Sequence, residues 1–117
     1  MIIGIDHVEI LVKDLEKSVE YYKSLGFKQV KWTEEERTVE MRAGDVSMDI
    51  IEVTEKRPET GLHHVAFLVD DVDKTVKDWK KKGIEISLEP MTSERSGRRL
   101  AAIKDVDGIM HQLAKPI

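Results

Sequence analysis

Residues Ile5–Phe27, IDHVEILVKDLEKSVEYYKSLGF, are read again at Leu62–Ile84 as LHHVAFLVDDVDKTVKDWKKKGI. At an offset of 57 residues and without a gap, nine of the 23 positions are identical. His7 falls on His64, Asp14 on Asp71, Val19 on Val76 and Gly26 on Gly83. A repeat of this period fixes the architecture before any single residue does, because a unit this small buries too little surface to stand alone.

Working outward from the repeat, Ile2–Val12 alternates and then runs apolar, which predicts a strand. Asp14 is placed to cap a helix whose Leu15, Val19 and Tyr22 form one apolar stripe, and Gly26 to end it. Strands are expected at Lys28–Trp32, Thr38–Arg42 and Val46–Val53. The second half repeats this order. A strand is expected at Leu62–Val69, then a helix capped by Asp71 with Val72, Val76 and Trp79 on its stripe and Gly83 at its end. Strands at Ile84–Leu88, Arg99–Ile103 and Ile109–Ala114 complete it. The expected fold class is α+β: two tandem βαβββ modules forming a curved, eight-stranded mixed sheet around a cleft. The chain then reads as one domain, 1–117, with module one at 1–54, a polar linker at 55–61 carrying Pro58 and Gly61, and module two at 62–117.

Bulk properties narrow the function. The net charge is −4 with Lys and Arg scattered, which argues against nucleic acid as the partner. There is no cysteine, which removes disulfides, thiolate nucleophiles and thiolate metal sites. No apolar run reaches the roughly 20 residues of a membrane helix, and MIIGIDHVEI carries no basic leader. These features predict a soluble, cytoplasmic protein with no membrane partner.

Strand alternation sorts the candidate side chains. His7, Glu9 and Leu11 share one face of the first strand, while Val8, Ile10 and Val12 share the other and should meet the helix. In the second half His64, Ala66 and Leu68 are the corresponding set, and His63 groups with Val65 and Phe67. Two histidines at repeat-related positions on the same face point to a site. TSERSGRR at Thr92–Arg99 reads as a basic, Gly-containing loop whose Arg95, Arg98 and Arg99 could hold a carboxylate or phosphate.

The pair HVEILVKDLEKSVEYYKSLGF and HHVAFLVDDVDKTVKDWKKKG, with KDVDGIMHQL near the end, resembles the vicinal oxygen chelate superfamily over essentially the whole chain. That group includes glyoxalase I, methylmalonyl-CoA epimerase, extradiol dioxygenases and bleomycin-resistance proteins. The resemblance implies a divalent metal ion (Zn, Ni, Co, Mn or Fe) on four ligands, one from the first and one from the last strand of each module. Those positions fall on His7, Asp49, His64 and Gln112. Two departures matter: Val106 replaces the usual Pro, and Gln112 replaces a carboxylate that is usually Glu. Glu52, on the opposite face from Asp49, would take over if a bulge fell between them, and His111 would replace Gln112 if the final strand slipped by one residue.

The implied activity is a metal-dependent lyase or isomerase that moves a proton next to the carbonyl of a thioester or hemithioacetal. With Gln at 112, the base must be Glu9 or Asp49, and Glu9 could equally orient His7. The alternative is a non-catalytic protein of the bleomycin-resistance kind that binds an antibiotic or metabolite; the six aromatic residues are few for its aromatic-lined cleft. The resemblance also implies a homodimer.

Overall fold

The Asp14 side chain accepts a hydrogen bond from the Lys17 N–H at 3.1 Å, and the Asp71 side chain accepts one from Lys74 at 3.0 Å. Each aspartate satisfies an orphan donor of the first turn, so helix α1 (Leu15–Ser24) and helix α2 (Val72–Lys81) begin where the repeat predicts. Both end at glycines in the left-handed region, Gly26 at φ 106° and Gly83 at φ 82°. The structure is a computed structural model and describes residues 1–117.

Eight strands accompany the helices: β1 (Ile2–Val12), β2 (Lys28–Thr33), β3 (Thr38–Ala43), β4 (Val46–Glu52), β5 (Gly61–Val69), β6 (Ile86–Ser93), β7 (Arg98–Lys104) and β8 (Met110–Pro116). The chain forms two compact units, one of His7–His63 and one of Met1–Asp6 with His64–Ile117. No helix is long and apolar enough to cross a membrane.

In the His7–His63 unit the strand order is β2-β3-β4-β1, with β1·β4 parallel and the other pairs antiparallel. Val8, Ile10 and Val12 pack with Leu15, Val19, Val39, Met41, Met48 and Ile50, so the aliphatic face of β1 does meet the helix. In the other unit the order is β5-β8-β7-β6, with β5·β8 parallel. There Val69, Val72, Val76, Ala101 and Leu113 make the helix-side core. The N-terminal ammonium donates to Asp70 Oδ1 and Thr75 Oγ1, each at 3.0 Å, and ties Met1 to this unit.

One expectation is corrected. The sixth strand starts at Ile86 rather than Ile84 and runs on through Pro90 to Ser93. It lies at the end of the strand order, where proline is tolerated because no further ladder needs its missing N–H. Thr92 and Ser93 therefore belong to β6, and Arg98 and Arg99 to β7, leaving only Glu94–Gly97 as a turn.

Arg37 ties the β2–β3 turn to the helix. It sits at φ 54° and bonds Glu34, Glu16 and Glu52, while Glu52 Oε2 accepts the Leu15 N–H at 3.0 Å. Arg37, and then that N–H, hold the Glu52 carboxyl below its ordinary 4.5. A carboxyl depressed in the folded state adds stability above its unfolded pKa and loses it as pH falls through the folded value. Arg37→Ala should lower the urea midpoint at neutral pH. The gap from wild type should close below about pH 4.5, as equilibrium denaturation at several pH values will show.

Candidate functional site

Because β1 turns Val8 and Ile10 to the helix, it turns His7 and Glu9 the other way, and parallel pairing with β4 decides what they meet. Glu9 stands opposite Asp49, and Val8 and Ile10 stand opposite Met48 and Ile50. No bulge interrupts this register, so Asp49 joins the His7–Glu9 face and Glu52 joins Val12 on the helix side. Glu52, bound to Arg37 and to the start of α1, is thereby removed from the site.

His7 is 2 % exposed, and its Nε2 lies 3.6 Å from Asp49 Oδ2. An imidazole nitrogen and a carboxylate oxygen converging in this way are the donor types a borderline divalent ion takes. Strand β3 adds a residue that the sequence reading missed. Glu40 pairs with Asp49 on its other side, so Glu9, Asp49 and Glu40 form a row across three adjacent strands. Side-chain exposures of 10 %, 17 % and 17 % show that all three carboxylates are largely withdrawn from solvent.

Glu9 is held from outside the strand. Its Oε2 accepts from His63 Nδ1 at 2.7 Å, and Arg57 Nη1 lies 3.6 Å away. Alternation had grouped His63 with Val65 and Phe67. In the structure its ring reaches Glu9 instead, from a position in β5 upstream of the Ala66–Leu68 ladder with β8. Glu9 and His63 thus bring a carboxylate oxygen and an imidazole nitrogen, both metal-ligand types, close together.

In the second unit Gln112 stands between Ala66 of β5 and Ala102 of β7, on the face that His64 shares by alternation. His111 faces the other way: its ring lies 5.5 Å from that of Phe67 and its Nε2 3.5 Å from Asp105 Oδ2. The β8 register thus puts Gln112 and His111 on opposite faces, with Gln112 on that of Ala66. Around it the face is small and apolar, with Ala66, Leu100 and Ala114 buried together.

The three arginines read as one basic loop point in different directions. Arg99 grips Asp73 in the first turn of α2 through two bonds of 3.0 and 2.7 Å. Arg98 is 5 % exposed and donates from Nε to Asp6 Oδ2 at 2.6 Å. Arg95 alone lies in the exposed turn.

The profile of the Glyoxalase/Bleomycin resistance protein/Dioxygenase superfamily matches residues 4–113. The chain belongs to this superfamily. It is 34% identical over 108 residues to the uncharacterized Bacillus subtilis protein YwkD, covering 79% of this chain and 84% of that one. It is 26% identical over 126 residues to human mitochondrial methylmalonyl-CoA epimerase, covering 93% and 72% of the two chains. Among solved structures, Mycobacterium tuberculosis methylmalonyl-CoA epimerase superposes with a TM-score of 0.81 at 20% identity, covering 99% and 89%. Streptomyces coelicolor methylmalonyl-CoA epimerase in complex with 2-nitronate-propionyl-CoA gives 0.78 at 25% identity, covering 99% of both chains. The glyoxalase-like fold is thus the fold of this superfamily member.

Arg98 and Asp6 form a buried pair inside the fold, and breaking such a pair leaves one charge buried and unmatched. Asp6→Asn should cost about 3–5 kcal/mol of unfolding free energy. The double variant Asp6→Leu with Arg98→Met should recover most of it, as urea denaturation of the three proteins will show.

Proposed function

We propose that this protein is a metal-dependent isomerase or lyase of the glyoxalase kind, moving a proton at the carbon next to a thioester carbonyl. The row Glu9–Asp49–Glu40 beside His7 carries this reading. Superfamily membership and the epimerase likenesses support it.

In this reading His7 and Asp49, with His64 and Gln112 from the second unit, are the residues that would hold a divalent ion. Such an ion supplies Lewis acidity toward a carbonyl oxygen, which makes the neighbouring C–H acidic. Two imidazoles, one carboxylate and one amide cancel less charge than a set with two carboxylates, so the ion should be held less tightly and polarise a carbonyl more strongly. Glu40 replaces the missing carboxylate at 112 as the base: it is in the row, next to Asp49, and is not a member of the ligand set. Asp49 is then a ligand rather than a base. Glu9, oriented by His63 and Arg57, holds the far side of the row as a positioning residue.

Proton exchange tests this directly. Incubated in D₂O with Co²⁺ and a propionyl or methylmalonyl thioester, the protein should incorporate deuterium at the α-carbon, followed by proton NMR. Chelation should abolish exchange, and Glu40→Gln should lower kcat by about 10²-fold or more. If thioester binds but no deuterium enters under any metal, the chain is a binding protein of the bleomycin-resistance kind.

A further inference from the structure

The face that carries Asp49 extends outward to the edge strand β2, and its charge changes sign on the way. In the β2·β3 pair, Lys28 stands opposite Arg42, and Lys31 opposite Glu40. Opposed residues share a face, so Lys28, Lys31 and Arg42 project on the side of Glu40 and Asp49. Lys28 and Lys31 are three apart and would alternate to opposite sides of a regular strand. The register shift between Gln29 and Lys31 brings them together. The other side of the same strands is uncharged: Gln29 stands opposite Met41 and Trp32 opposite Val39, against the helix core.

The sorting is sharp. The buried end of this face bears three carboxylates, and its exposed edge bears three cations in a chain whose net charge is −4. Arg42 is 58 % exposed, and its Nε lies 3.5 Å from Glu40 Oε2, so this side chain stands where the acidic row meets the basic edge. From Asp49 to the axis of β2 is two strand spacings, about 10 Å, before the lysine side chains add their own length. A substrate that reacts at one end and carries phosphates at the other matches this layout.

We infer that Lys28, Lys31 and Arg42 form the binding surface for the phosphorylated end of a thioester carrier such as coenzyme A. Resting on the thioester reading above, this assigns the substrate class by its distal anion rather than its acyl group. Phosphate oxygens are strong acceptors for the fork of Arg42 and for lysine ammonium groups, and an edge with this charge would also speed encounter at low salt.

The test compares free coenzyme A, its propionyl thioester and the phosphate-free propionyl N-acetylcysteamine thioester, with the full chain. Lys28→Glu and Arg42→Glu should each weaken coenzyme A binding at least tenfold by calorimetry. Each should raise KM for the coenzyme A thioester by a similar factor, with the penalty falling on the phosphorylated substrate alone. Lys28→Gln serves as a milder variant should charge reversal impair folding, and the binding should weaken steadily with added KCl. If wild type binds coenzyme A and the variants bind it within twofold, the edge is merely solvated and the inference fails. It fails too if wild type does not bind coenzyme A. Binding that weakens in the variants, with no exchange on either thioester, would uphold the edge and overturn the catalytic reading instead.

Discussion

The parallel pairing of β1 with β4 is the constraint on which the rest of the first unit depends. Val8 and Ile10 must pack beside Met48 and Ile50 against the helix, and a period of two then leaves His7, Glu9 and Asp49 nowhere to go but the opposite side. A slip of one residue would drive Glu9 and Asp49 into the aliphatic core, at the cost of burying carboxylates without partners. The apolar core thus sets the position of the polar row as firmly as any bond between its members. The same logic runs in the second unit, where the pairing of Phe67 with Leu113 sends Ala66 and Gln112 to the other face.

The two units use one frame for different ends. On the first, the face opposite the helix carries an imidazole, three carboxylates and, at its edge, three cations. On the second, the corresponding face is built from Ala66, Leu100, Ala102 and Ala114, with His64 and Gln112 as its polar members. A duplicated scaffold needs its caps and helix stripes in both copies, because each helix must start, pack and stop in the same way. Its chemistry is under no such requirement, and the repeat mismatches are where it differs: Glu9 answers to Ala66.

Much of this was legible in the sequence for a physical reason. Caps, helix stripes and strand alternation are local, so Asp14, Asp71, Gly26, Gly83 and the facing of His7 could be read from their neighbours alone. The residues that escaped depend on pairing between distant segments. Glu40 carries no mark of its own, and only the β3·β4 register puts it beside Asp49. Arg98 reads as a loop charge until β6 is seen to run through Pro90, and its partner Asp6 lies 92 residues away. Arg57 lies in a polar linker, and alternation grouped His63 with Val65 and Phe67, so neither could be placed beside Glu9 from its neighbours alone. Which of Asp49 and Glu52, and which of Gln112 and His111, faces away from the helix follows from the register of β4 and β8, which no local pattern supplies.

The central claim is that the His7–Asp49 face binds a divalent ion while the nearby Glu52 serves the fold. Titrating Co²⁺ into chelator-treated protein, followed by calorimetry and visible absorption, tests it most directly. One ion per chain should bind to wild type and to Glu52→Gln, whereas Asp49→Ala and His7→Ala should each lose at least tenfold in affinity. Equal binding by all four proteins, or loss in Glu52→Gln with none in Asp49→Ala, would contradict the account.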